Sequence, residues 1–85
     1  MSLWKEFSDI FYDYKCNCGL IDPNHKDRYS FTKKGERYFL CEQGEYVRLD
    51  IRNEKTLKCF IKVVLPLEAM KEYIKRRLEG QNDNK

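Results

Sequence analysis

No run of apolar residues in this 85-residue chain approaches the roughly 20 that a membrane-spanning helix needs, so a membrane partner is not expected. No segment repeats and none is of low complexity, which excludes repeat architectures. Catalytic and cofactor motifs are missing as well. The single histidine, His25, sits among Asn24, Lys26 and Asp27 and reads as a solvated side chain. No cysteine has the histidine and oxyanion context that nucleophilic chemistry requires. Lys5, Glu6 and Asp9 interrupt the apolar residues of the opening segment, so it does not read as a secretory signal, and a cytoplasmic location is the default expectation. A chain this short removes only about 60% of its unfolded surface on folding. The expectation is one domain over residues 1–80 with a thin core, a frayed tail at 81–85, no bound cofactor and no cavity deep enough for an enzyme.

What the chain does contain is alternation. A strand turns successive side chains to opposite faces, so a one-residue slip exchanges its two surfaces. Residues 28–65 fit an antiparallel meander of four strands joined by three-residue connections, Lys33-Lys34-Gly35, Glu42-Gln43-Gly44 and Asn53-Glu54-Lys55. Two of these place glycine third, as the three-residue hairpin loop prefers. Chaining the registers puts Tyr29, Phe31, Phe39, Cys41, Val47, Leu49, Ile51, Leu57, Cys59, Ile61 and Val63 on one face. Arg37 falls among them, tolerable near an edge where its stem packs and its charge reaches water. A competing reading makes Thr32 the N-cap of a helix running through Glu36 to Cys41. Gly35 inside that helix would cost about 1 kcal/mol, which favours strands.

Amphipathic helices flank the meander. Leu3, Trp4, Phe7, Ile10, Phe11 and Tyr14 share an arc of about 120 degrees at helical spacing, opposite Lys5, Glu6, Asp9 and Asp13, with Ser2 placed to cap. After Pro66, suited to a first helical position, Leu67, Met70, Tyr73, Ile74 and Leu78 form a second stripe, and Gly80 is placed to end it. Glu68 with Lys71 and Glu72 with Arg76 read as helix-face pairs. Two apolar helical stripes and one apolar sheet face predict an α+β two-layer sandwich, helix, four-stranded antiparallel meander, helix, with both helices on one face of the sheet.

Cys16, Cys18, Cys41 and Cys59 suggest two disulfides only in an exported chain, and nothing here directs export. A four-cysteine zinc site lacks the usual paired knuckles, since the chain has one CxC and two singletons. The registers above also set Cys41 and Cys59 roughly 16 Å apart. A smaller metal site from Cys16, Cys18, His25 and Cys41 needs the loop with Gly19, Asp22, Pro23 and Asn24 to fold back, and it matches no standard spacing. Otherwise Cys41 and Cys59 are small core residues, and Cys16 and Cys18 belong to a loop.

The opposite sheet face is more informative. It collects Arg28, Ser30, Tyr38, Leu40, Tyr46, Arg48, Asp50, Arg52, Lys58, Phe60, Lys62 and Val64, more large apolar groups than a solvated face carries. Tyr46 is expected beside Lys62 and Arg48 beside Phe60. Such a face is a stabilised open surface, a protein contact with another chain or a second copy, or a platform where rings stack bases and cations meet phosphates. Charge ranks the last two. Seventeen Lys plus Arg against fourteen Asp plus Glu give only +3, a mild bias beside the footprint of a phosphate binder. On the last helix, Lys71, Lys75, Arg76 and Arg77 are diluted by Glu68, Glu72 and Glu79.

The order helix, meander, helix resembles the double-stranded RNA-binding domain in topology. That family binds through a lysine cluster at the start of its final helix, where this chain has Pro66-Leu67-Glu68-Ala69, and this meander has a strand more. The resemblance therefore implies an arrangement and no activity. The expected function is a small non-catalytic module that binds another protein or itself, as a homodimer, through Tyr38, Tyr46, Arg48, Arg52, Lys58, Phe60 and Lys62, with single-stranded nucleic acid as the alternative partner.

Overall fold

The computed structural model describes residues 2–21, 24 and 27–82, and side chains only as far as residue 80. Helix α1, Leu3–Asp13, buries Leu3, Phe7 and Ile10 fully, the stripe expected from their spacing. Ser2 holds the N-cap position with extended backbone, but its hydroxyl makes no capping hydrogen bond. The carboxyl end closes differently. Lys15 takes a left-handed conformation with φ 55°, its N–H donates to the Tyr12 carbonyl, and the Cys16 N–H donates to the Phe11 carbonyl. That pair of bonds is a Schellman motif, which here turns the chain sharply and buries Cys16.

The turn feeds an additional strand. The sheet has five strands in sequential order, where the sequence predicted four: β1 Asn17–Ile21, β2 Arg28–Lys33, β3 Glu36–Gln43, β4 Tyr46–Asn53 and β5 Cys59–Pro66. Strand β1 is exposed at every residue and bulged between Asn17 and Leu20, with Cys18 left-handed at φ 49°. Gly19 lets it approach α1, because a Cβ there would stand 2.9 Å from a Phe11 ring carbon. Cys18 and Gly19, predicted in a loop, thus belong to a strand, while Cys16 stays in the connection before it and is buried there.

Two hairpins are one residue tighter than predicted. Lys33 pairs with Glu36, leaving only Lys34-Gly35 in the turn, and both have positive φ, 50° and 80°. Gln43 pairs with Tyr46 around Gly44-Glu45, with Gly44 at φ 62°. Two-residue turns with left-handed residues match the natural strand twist. Each shortening reverses the parity of the strand that follows. Strand β3 is therefore inverted: Tyr38 and Leu40 are buried, while Arg37, Phe39 and Cys41 face away from the core. The second reversal cancels the first, so Val47, Leu49 and Ile51 in β4 are buried as expected.

The last hairpin keeps the predicted faces with a different register. Asn53 accepts from Lys55 N–H and Thr56 N–H through Oδ1 and from Leu57 N–H through its carbonyl, which folds a longer loop. Ile51 pairs with Ile61 and Arg52 with Cys59, so Phe60 is an extra residue in a bulge. Val47 now stands opposite Leu65, four residues beyond the predicted Ile61. Leu57, expected in the core, is 69% exposed in the loop with φ 64°. Cys59 is only half-buried.

Helix α2, Leu67–Asn82, runs through Gly80, which does not stop it; of the predicted tail, residues 83–85 lie outside the described residues. Met70, Ile74 and Leu78 are buried completely. They join Leu3, Phe7 and Ile10 of α1 and the inward residues of β2, β3 and β4 in one cluster. Phe31 and Tyr38 stack at its centre, with centroids 4.9 Å apart and planes 9° from parallel. Burial pushes the Tyr38 phenol up to about 12. The helices are tied by Lys71 Nζ to Glu6 Oε1 at 2.9 Å and by the Tyr14 hydroxyl donating to Glu79 Oε2 at 2.6 Å. Glu68 pairs with Lys71 as expected, whereas Glu72 meets Lys75, not Arg76.

Candidate functional site

The inverted β3 rewrites the face turned from the core. Reading across the registers, one row runs Arg28, Cys41, Arg48, Val64; the next runs Leu20, Ser30, Phe39, Asp50, Lys62. Arg37 stands directly opposite Arg52, and Tyr46 opposite Pro66. Arg28, Arg37, Arg48, Arg52 and Lys62 therefore share a surface whose strands supply a single carboxylate, Asp50.

Neighbours restrain several of these cations. Arg48 makes a paired contact with Asp50 two residues along its own strand, Nε to Oδ1 and Nη2 to Oδ2 both at 3.3 Å. Arg37 Nη1 donates to the Ser30 hydroxyl at 3.1 Å and its Nε lies 3.5 Å from Glu54. Arg52 sits over the Phe39 ring, 5.3 Å from the centroid. That contact joins a half-exposed aromatic to a planar cation and is worth roughly 0.5–1 kcal/mol at such a position.

Of the residues expected to bind, Tyr46, Arg48, Arg52 and Lys62 lie on this face, with Tyr46 51% exposed. Tyr38 does not: it is fully buried against Phe31, because the two-residue turn reverses its strand. Lys58 belongs to the loop before β5, where its N–H donates to the Thr56 hydroxyl. Phe60, 48% exposed, occupies the bulge at the sheet edge and is met by Arg77 of α2 at 5.6 Å. The expected neighbours also change partners: Tyr46 faces Pro66 in place of Lys62, and Arg48 faces Val64 in place of Phe60.

The positions missed are Leu20, Arg37, Phe39 and Cys41. A shallow depression of about 290 Å³ lies among Leu20, Arg28, Ser30, Phe39 and Cys41, floored by the backbone of β2 and β3. Arg37 was the available signal, since no other charged residue had been forced into the predicted core.

The residues considered for a metal are scattered. Cys16 is buried in the core cluster, and its burial pushes the thiol up to about 11, which disfavours the thiolate a metal would bind. Cys18 is exposed on β1, Cys41 is half-buried on the outward face, and His25 lies outside the described residues. Among the described residues no cluster of three or more candidate metal ligands occurs. No described helix is long and apolar enough to cross a membrane. The chain matches no protein-family model, no curated protein and no solved structure to which it was compared.

Proposed function

We propose that this chain is a non-catalytic binding module of the cytoplasm whose partner is another protein, docked on the open side of the sheet. Both helices cover the other side, which leaves this one without a layer of its own. The observation that carries the reading is the composition of that surface. Tyr46, Phe39 and Val64 are exposed at 38–51% among arginines held in register on neighbouring strands. Tyrosine, phenylalanine and arginine are the residues enriched at protein contacts.

A second reading, single-stranded nucleic acid, is favoured by the number of arginines. It is the weaker one because stacking needs free ring faces. Phe39 and Phe60 each have a guanidinium over the ring, at 5.3 and 5.6 Å. Tyr46 alone is a poor stacking platform.

The two are separated by replacing Tyr46 with a photo-crosslinking amino acid in the native host, with Glu72 on the exposed side of α2 as the control position. A discrete adduct from position 46, resistant to nuclease and destroyed by protease, is the expected result. A nuclease-sensitive adduct would transfer the function to nucleic acid, and adducts of equal yield from both positions would sink the assignment.

A further inference from the structure

We infer, resting on the protein-binding reading, that the contacting segment of the partner is an acidic stretch carrying one apolar anchor side chain. The anchor enters the depression between Leu20, Phe39 and Cys41, and flanking carboxylates meet Arg28 and Arg48.

Size comes first. About 290 Å³ is just under the roughly 300–1,000 Å³ of typical small-molecule pockets, and the depression is open above, so it accommodates one side chain better than a cofactor. Its walls are apolar where Leu20, 57% exposed, and Phe39 rise beside the sheet. Ser30 and Cys41 form a small-residue floor. An aliphatic or aromatic side chain seated there would cover Leu20, which has no such cover in the free chain.

Charge then selects the flanks. Arg28 and Arg48 lie on either side of Cys41 in one row across three strands. Strands stand about 4.8 Å apart, so these two β-carbons are separated by about 10 Å along the row. Arg37 and Arg52 oppose each other directly, an arrangement that destabilises a sheet unless anions compensate it. Glu54 offsets part of this by pairing with Arg37, while Asp50 pairs with Arg48. A partner's carboxylates add to the compensation at Arg28 and at the N–H groups of Arg48 that Asp50 does not take, since a guanidinium carries five donors in a planar fork.

The same charges disfavour a second copy. A two-fold contact sets one patch against itself, so a patch of four arginines and Lys62 with one carboxylate gathers like charge on both sides of the interface. Homodimerisation through this face is therefore disfavoured, and the partner carries the opposite sign.

The test uses the full chain and fluorescence anisotropy with a labelled nine-residue peptide of alternating Asp and Glu around a central Leu. Three further probes are the same peptide with Ser in place of Leu, one with Lys in place of the acids, and a twelve-nucleotide oligothymidylate. Binding of the acidic Leu peptide is expected at low salt, weakened about fivefold by the Ser exchange and about tenfold by Arg28→Gln with Arg48→Gln, the scale of contacts worth 1 kcal/mol or more. Both substitutions are on the surface, and an unchanged melting curve confirms the fold. Equal binding of the Leu and Ser peptides would overturn the anchor. Lys-peptide or oligothymidylate binding as tight as that of the acidic Leu peptide would overturn the acidic partner. If position 46 yields a protein adduct while no acidic peptide binds, this inference fails and the protein-binding reading stands; if both are absent, both fail.

Discussion

Tyr38 and Phe39 are neighbours in the chain and differ by one hydroxyl, yet they occupy opposite sides of the sheet. Tyr38 is sealed against Phe31 and pushed away from ionisation by its surroundings. Phe39 is 38% exposed, with Arg52 over its ring. Chemistry alone would send the more apolar ring inward. What decides is the two-residue turn before the strand: Lys34-Gly35 starts β3 on the parity that turns even-numbered residues toward the helices. The side chains of β3 follow the backbone, and the surface left outside inherits a part-exposed aromatic ring.

Truncating each ring separates the two positions most strongly. Tyr38→Ala is expected to cost about 3–5 kcal/mol, the range for removing a buried aromatic and leaving a cavity. Phe39→Ala is expected to cost about 1 kcal/mol or less, as a half-exposed side chain losing one cation contact. Urea unfolding followed by far-UV circular dichroism measures both. Equal costs, or a reversed order, would mean that β3 has the opposite facing.

Why the pair was assigned the wrong way round from the sequence is itself physical. Strand β3 carries large apolar residues on both sides, Tyr38 and Leu40 on one and Phe39 and Cys41 on the other, so hydrophobic alternation does not choose between them. Glycine at a turn fits both a two-residue and a three-residue hairpin. Only Arg37 spoke against the longer turn. The helices were legible because their stripes repeat over several turns, and β4 because its apolar and charged residues alternate strictly. Strand β4 keeps its expected facing although both turns before it are one residue shorter than expected, since two parity reversals restore the original. On the outward face, Tyr46, Arg48, Arg52 and Lys62 were legible for the same reason, while the depression was not, because half of it comes from inverted β3 and from β1. Asn17-Cys18-Gly19-Leu20-Ile21 has no alternation to read. It forms a strand because β2 offers an edge and Gly19 admits the Phe11 ring.

The contrast can be sharpened by pH. The Tyr38 phenol is raised from 10.0 to about 12 and the Cys16 thiol from 9.0 to about 11, both mainly by burial. Each is neutral inside the folded chain, and the unfolded chain releases those protons first. Their contribution to stability is therefore complete below pH 9 and is lost as pH rises from 9 to about 11 for the thiol and from 10 to about 12 for the phenol. The phenol contributes on the order of 2 kcal/mol to that loss. Urea midpoints at pH 8, 10 and 11.5 measure it. Tyr38→Phe keeps the ring and removes the hydroxyl, so its decline between pH 10 and 12 should be shallower than that of the parent. Identical slopes would mean that the phenol is no less hydrated in the folded chain than in the unfolded one.

The smallest effect probes the turn that creates the difference. Gly35 has φ 80°, in the left-handed region, and a Cβ built on it would meet nothing within 4 Å. Gly35→Ala therefore carries a backbone cost without a clash, about 1 kcal/mol, the usual penalty for a side chain in that region. A three-residue loop is the alternative that keeps the hairpin while changing its parity, and the substitution tests whether the chain moves toward it. If the two-residue turn persists, the variant loses about 1 kcal/mol and Tyr38 keeps its protection from solvent. If the loop lengthens by one residue, β3 rotates, Tyr38 emerges and Phe39 enters. Tyrosine fluorescence quenching by iodide cannot separate six tyrosines. Comparing Gly35→Ala in the parent and in a Tyr38→Phe background can. The two should differ in quenching only if the strand has turned over, and no difference is expected, because inverting β3 would also bury Arg37 and expose Leu40, a far larger penalty than one strained alanine.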